Sequence, residues 1–138
     1  MNIYLASPFF SNEQIEREER IKKHLRNLGL NVFSPKEESL ITKESTIFDR
    51  EQTFLSNIKH IQDCDIVFAI TDTKDTGTIW ECGYAYGINK PVIFYAETLG
   101  DKPFNLMLAQ SGINVITKQS DITIENLKTE ETYLGSIE

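Results

Sequence analysis

The chain has 138 residues, 40% apolar and 25% charged, with a formal net charge of -7. That is the composition of a globular protein, and a chain of this length can bury about two-thirds of its unfolded surface, which fits a single domain over residues 1–138. The acidic balance argues against nucleic-acid and anionic-membrane binding, which need basic patches, and no apolar run reaches the ~20 residues of a membrane span.

The N-terminus enters a strand pattern without a leader-like segment, so the expected location is the cytoplasm. Asn2 to Ala6 reads as the first strand, and Ser7-Pro8-Phe9-Phe10 as its exit loop. Ser11 and Gln14 have capping-box spacing. A helix is expected from there to Leu28, ended by Gly29, which tolerates the left-handed terminator conformation. Ile21, Leu25 and Leu28 recur at helical spacing, and the Glu/Arg/Lys-rich remainder is expected to be a solvated face. Residues 30–33 form a second strand, closed by Ser34-Pro35. The polar stretch 36–45 reads as irregular chain that covers a site mouth.

A helix over 48–62 presents Phe54, Ile58 and Ile61 as an inward stripe. Residues 65–70 are a buried strand, 71–76 a polar loop, and 77–89 a helix. That helix is apolar on several sides, so burial is expected, Trp80 included. A strand at 91–96, a short helix at 104–110, a strand at 113–116 and a helix at 122–128 complete the chain. Cys64 and Cys82 lack metal or redox-motif spacing and read as small buried hydrophobes. His24 and His60 read as inert helix-surface residues, with no third ligand for a metal.

Strands alternating with helices imply an α/β fold: a five-stranded parallel sheet, helices on both faces, flavodoxin/Rossmann-like. Right-handed crossovers suggest the order 2-1-3-4-5. The switch point then lies between strands one and three, so loop 7–10 should meet loop 71–81.

Glu81 and Asp75 are the leading chemical pair. Asp75 is placed on the loop leaving a strand and Glu81 on the first turn of the following helix, among Ile79, Trp80 and Tyr84. A helix N-terminus favours an ionised carboxylate, and such an anion can attack an electrophilic carbon. In a glycosyl-transfer site Glu81 would be the nucleophile and Asp75 a ligand for sugar hydroxyls. The plainer alternative has Glu81 complementing the helix dipole and Asp75 capping the helix. Tyr4 either holds Glu81 in an attacking rotamer or is a strand tyrosine with a satisfied hydroxyl, and Phe9 and Phe10 either stack on a flat heterocycle or pack. There is no Gly-x-Gly-x-x-Gly loop, which argues against a dinucleotide or triphosphate. A crevice carrying Asp72, Asp75 and Glu81 suits an uncharged or weakly charged small molecule.

Five segments carry a resemblance: Ile3-Tyr4-Leu5-Ala6-Ser7-Pro8-Phe9-Phe10, Asp65-Ile66-Val67, Asp75-Thr76-Gly77-Thr78-Ile79-Trp80-Glu81-Cys82-Gly83-Tyr84-Ala85, Gly87-Ile88-Asn89-Lys90-Pro91-Val92 and Asn105-Leu106-Met107. In these, and along nearly its whole length, the chain resembles the nucleoside 2-deoxyribosyltransferases. The resemblance implies transfer of 2-deoxyribose between nucleobases, in nucleoside salvage, by double displacement through an ester on Glu81. Tyr4 would orient Glu81, and Asp75 would bind sugar or base. Ser7, Phe9, Phe10 and Gly77 would complete the substrate site. Asn105 would reach a neighbouring subunit's site and bind the 5′-hydroxyl, in a homo-oligomer built from dimers. Deoxyribonucleosides and free nucleobases are the implied partners, and no metal or organic cofactor is needed.

Asn57 is a departure. It occupies the place of a family aspartate that contacts the base and helps to protonate it. An amide can hydrogen-bond the base but cannot transfer a proton. Two other functions compete. A deoxynucleoside 5′-monophosphate N-glycosidase would need phosphate donors; Ser7 and Ser11 are candidates, but no Arg or Lys lies between Met1 and Ile15. A non-catalytic nucleoside or nucleotide sensor would need no turnover at all.

Overall fold

Five short apolar runs form one parallel sheet. The computed structural model describes residues 1–39 and 41–138. In chain order the elements are β1 (Asn2–Ala6), α1 (Asn12–Asn27), β2 (Asn31–Phe33), α2 (Pro35–Glu38), α3 (Ile47–Asp63), β3 (Ile66–Ile70), α4 (Thr76–Gly87), β4 (Val92–Tyr95), α5 (Leu106–Ser111), β5 (Asn114–Ile116) and α6 (Ile124–Lys128), with one 3-10 turn at Gln119–Asp121. The strand order is β2-β1-β3-β4-β5 and each pairing is parallel. This is the flavodoxin-like α/β arrangement expected from the alternation of strands and helices.

Both faces of the sheet are covered, which is why β3 can be apolar and buried at every position. Alternate strand side chains point to opposite faces. Ile3, Leu5, Phe68 and Ile93 pack with Ile21 and Leu25 of α1 and Leu127 of α6. Tyr4, Ala6, Val67 and Phe94 pack with Ile61 of α3, Cys82 and Ala85 of α4, and Ala109 of α5. Tyr4 thus lies on the face that α4 covers. The helix starts follow the capping chemistry: Ser11 and Gln14 form a reciprocal box on α1, as Thr46 and Asp49 do on α3. Gly29, at φ 85°, ends the α1 segment in the left-handed region.

Several expectations need correction. The stretch 36–45 is not wholly irregular. Pro35 opens the one-turn helix α2, where its fixed φ suits the first helical position; Leu40 lies outside the described residues. The charged side of α1 is not all solvated, for Arg17, Glu18 and Lys22 are buried. They are buried as partners: Glu18 accepts from Ser34 Oγ at 2.6 Å, Lys22 pairs with Glu19 at 2.8 Å, and Arg17 pairs with Glu97 at 2.9 Å. Pairing of this kind is what makes buried charge tolerable.

Helix α4 is not buried all round. Thr78, Cys82 and Ala85 face inward, while Trp80 is 50% exposed. On α3, Ile61 is fully buried but Phe54 is 51% exposed, so the inward stripe holds only toward the C-terminal end. Cys64 and Cys82 are buried free thiols. The histidines are packed rather than loose on the surface: His60 stacks on Phe33 with centroids 3.6 Å apart, and His24 Nε2 lies 2.8 Å from the Ile122 carbonyl oxygen. Among the described residues no helix is long and apolar enough to cross a membrane.

Candidate active site

β1 brings Tyr4 and α4 brings Glu81 to the same point. The buried Tyr4 hydroxyl donates a hydrogen bond to a Glu81 carboxyl oxygen. Burial, then the Glu81 charge, pushes ionisation of Tyr4 far above that of an ordinary phenol. Its hydroxyl is therefore a fixed donor at any physiological pH.

Glu81 is the sixth residue of α4, past the first turn. The helix dipole fades within that turn, so the expected preference for the ionised form does not hold. Burial instead pushes the Glu81 carboxyl up to about 7; the Tyr4 hydrogen bond opposes the rise and the Asp75 charge adds to it. Both protonation states are populated near neutrality. The adjacent Cys82 thiol is also pushed up, by burial and by Glu81, and stays a neutral packing group.

Asp75 is the N-cap of α4. Its Oδ2 accepts from Thr78 N at 2.9 Å and Thr78 Oγ1 at 3.0 Å. The same residue lines a cavity of about 430 Å³ with Glu81, so the capping and cavity-lining positions coincide. Ser7, Phe9 and Phe10 enter this cavity from the β1 exit loop, Asn57 from α3 and Gly77 from α4. Its volume is in the range of small-molecule sites. The two loops expected to meet at the switch point do so, since residues of both line the cavity, and Gln14 Nε2 of α1 donates to Thr73 Oγ1 beside them at 3.0 Å. Ser7 is buried and its Oγ donates to the Pro8 carbonyl at 3.0 Å. Phe10 is 75% exposed, with its ring centroid 5.1 Å from that of Phe9.

Two acidic or amide groups lie elsewhere. Asp72 does not share the crevice with Glu81. Lys74 takes a left-handed φ of 50°, its N–H bonds the Thr71 carbonyl at 3.0 Å, and the chain turns between the two aspartates. Asp72 Oδ1 accepts from Thr98 N and Oγ1 at 2.7 and 2.8 Å, and Oδ2 lies 3.7 Å from Arg17 Nε. Asn105 caps α5, accepting from Leu108 N at 3.2 Å. It lines a different cavity of about 550 Å³, together with Asp72, Lys74, Met107 and Glu138. That cavity is larger but holds no Glu81, so the smaller one is the candidate active site.

The sequence reading missed Phe54 and Trp80, which also line the Glu81 cavity. Their rings are 5.7 Å apart at 60°, and Trp80 stacks on Tyr84 at 5.7 Å and 9°. A signal was present: Phe54 and Asn57 are three apart on one helix and therefore share a face, and Trp80 immediately precedes Glu81. None of the described residues lining the cavity is Lys or Arg. A carboxyl near its titration midpoint, steered by a fixed phenol and flanked by rings, suits attack on an electrophilic carbon of an uncharged, flat-ringed molecule.

The sequence model of the nucleoside 2-deoxyribosyltransferase family matches residues 3–115. Among solved structures, the 2-deoxyribosyltransferase of the psychrotolerant bacterium Bacillus psychrosaccharolyticus is 34% identical, with a TM-score of 0.86 over 97% of this chain and 100% of that one. A conserved protein from Enterococcus faecalis shares the fold at 21% identity and TM-score 0.78, over 93% of this chain and 97% of that one. A CMP N-glycosidase from Clostridium botulinum shares it at 17% identity and TM-score 0.60, over 88% and 93%. No curated protein matches the chain at a significant level. With its family model covering residues 3–115 and a 34%-identical relative aligned along nearly its full length, the chain belongs to the nucleoside 2-deoxyribosyltransferase family and is an enzyme of that type.

Proposed function

We propose that the protein transfers 2-deoxyribose from one nucleobase to another by double displacement at Glu81, serving nucleoside salvage in the cytoplasm. In the first half-reaction the Glu81 carboxylate attacks the anomeric carbon of a deoxyribonucleoside. The carbon–nitrogen bond breaks, its electron pair leaves with the base, and the base takes up a proton. The product is a deoxyribosyl ester on Glu81. In the second half an incoming base nitrogen attacks the same carbon, Glu81 leaves as carboxylate, and the base gives up its proton. Splitting the substitution in this way replaces one difficult step by two easier ones.

The observation that carries this reading is the hydrogen bond from the buried Tyr4 hydroxyl to Glu81, the carboxyl that lines an aromatic-walled cavity. Tyr4 holds the attacking oxygen and favours its charged form. Asp75 binds the sugar or base from its cap position. Asn57 faces the base from α3 and contributes a hydrogen bond rather than a proton. Ser7, Phe9, Phe10 and Gly77 complete the walls. Asn105, which lies outside this cavity, serves the site of a neighbouring subunit in a homo-oligomer built from dimers and binds the 5′-hydroxyl there. A phosphate-bearing substrate is disfavoured, because the described lining has no Lys or Arg and Ser7 Oγ donates to Pro8 O.

The test is intact-protein mass spectrometry after mixing with thymidine and no acceptor base. The expected result is a mass increase of one deoxyribosyl group on the unmodified protein and none on Glu81→Ala. A protein that turns over thymidine yet never carries the adduct would contradict the double displacement.

A further inference from the structure

Trp80 is an unusual residue to leave in water. It is the only tryptophan of the chain and 50% exposed, although large aromatics are usually highly buried. Its ring is not loose. One neighbour is Tyr84, stacked at 9°, and the Tyr84 hydroxyl in turn accepts from Gln62 Nε2 at 2.8 Å. Phe54, 51% exposed, tilts against it from α3 at 60°. Two helices thus hold a braced, half-exposed indole that lines the cavity of Glu81 and Asn57. A ring kept for core packing would be turned inward, as Cys82 and Ala85 of the same helix are.

We infer that Trp80, with Phe54, is a stacking platform for the free acceptor base and the residue that makes this enzyme prefer purines over pyrimidines. The inference rests on the reading that the cavity takes a nucleobase. The chemistry selects a flat, neutral heterocycle: the platform offers aromatic faces, and no described residue of the cavity lining is Lys or Arg to hold an anion. A two-ring base covers more of an indole than a one-ring base, so the gain from stacking is larger for adenine than for cytosine. Tyr84 and Gln62 are positioning residues, since they act on the base only through the angle of the indole.

The sole tryptophan makes a direct probe. The full-length protein is titrated with free adenine in the absence of any donor, with indole excited at the red edge of its absorption. Saturable quenching is expected, and it should persist in Glu81→Ala. Kinetics supply the second readout. Trp80→Leu should raise the KM for adenine roughly tenfold, as lost base–aromatic stacking predicts, with kcat at saturating adenine falling by less than KM rises. The KM for cytosine should rise less, and Trp80→Phe, which keeps a stacking face, should retain most of the affinity for adenine. Transfer activity with no saturable quenching would overturn the platform and leave the transferase reading intact. Saturable quenching in a protein that transfers nothing would do the reverse. Equal losses for adenine and cytosine, or for Leu and Phe at position 80, would overturn the purine preference.

Discussion

Near neutral pH the Glu81 carboxyl sits at the midpoint of its titration, pushed up to about 7 by burial. A nucleophile must be the anion, so kcat/KM for transfer should rise through pH 7 as the carboxyl ionises. Tyr4→Phe removes a hydrogen bond that favours the charged form. The midpoint of the rise should therefore move to higher pH while the maximal rate falls; a rate–pH profile with an unmoved midpoint would show that Tyr4 does not tune Glu81. Asn57→Asp introduces a group able to carry a proton where the cavity meets α3. General acid catalysis is typically worth 10²–10⁴-fold, so transfer to purines should rise by about tenfold or more, and steady-state rates with adenine would reveal it. Unchanged rates would remove proton transfer from this position. The places of Tyr4 on β1, Asp75 at the start of α4 and Glu81 within α4 were legible in the sequence, because each follows from one element and its neighbours. Asp72 was not: whether it shares a crevice with Asp75 depends on a reversal at Lys74, a residue type that gives no warning of a left-handed φ.

At the scale of elements, α4 does two jobs through one residue. Asp75 caps the helix through Oδ2 and lines the cavity. Asp75→Ala should cost about 1 kcal/mol of stability in urea unfolding, the usual worth of an N-cap, and should also lower transfer. Asp75→Asn keeps a capping oxygen, so stability should hold while transfer still falls. If Asp75→Asn keeps full activity, the residue is a cap and nothing more. The helix starts were readable because capping is local: Ser11 with Gln14 spans one turn. The burial of α1 charges was not. Arg17 meets Glu97, a residue 80 positions away that follows β4, and no periodicity within the helix reveals such a partner. The Arg20 and Tyr95 side chains join Glu97 as well, and these partners, Arg20 first, hold its carboxyl down at about 2. The aromatic face of α4 was ambiguous for a different reason. Apolar residues surround that helix, so its periodicity could not say which ring faces the core and which faces the cavity.

For the molecule as a whole, topology followed from the alternation of strands and helices, because parallel strands need crossovers and crossovers have one hand. Adjacency of β1 and β3 then brought two distant loops to one crevice, as ligand sites in such sheets require. The Asn105 cavity and the Glu81 cavity are lined by different residues of the one chain. Asn105 lies in the cavity without Glu81. If it completes a neighbour's site, Glu81→Ala and Asn105→Ala should each be nearly inactive alone. Mixed, unfolded and refolded together, they should recover a measurable fraction of transfer activity, since some sites would then draw an intact residue from each chain. No recovery, with mixed oligomers present, would confine each site to its own subunit.

The central chemical proposition is transfer of deoxyribose through Glu81, and chromatography tests it most directly. The protein is mixed with thymidine and free adenine, beside a Glu81→Ala control. Deoxyadenosine should form with the unmodified protein and be absent from the control. Equal deoxyadenosine from both proteins, or thymine released with no deoxynucleoside formed from adenine or cytosine, would contradict it.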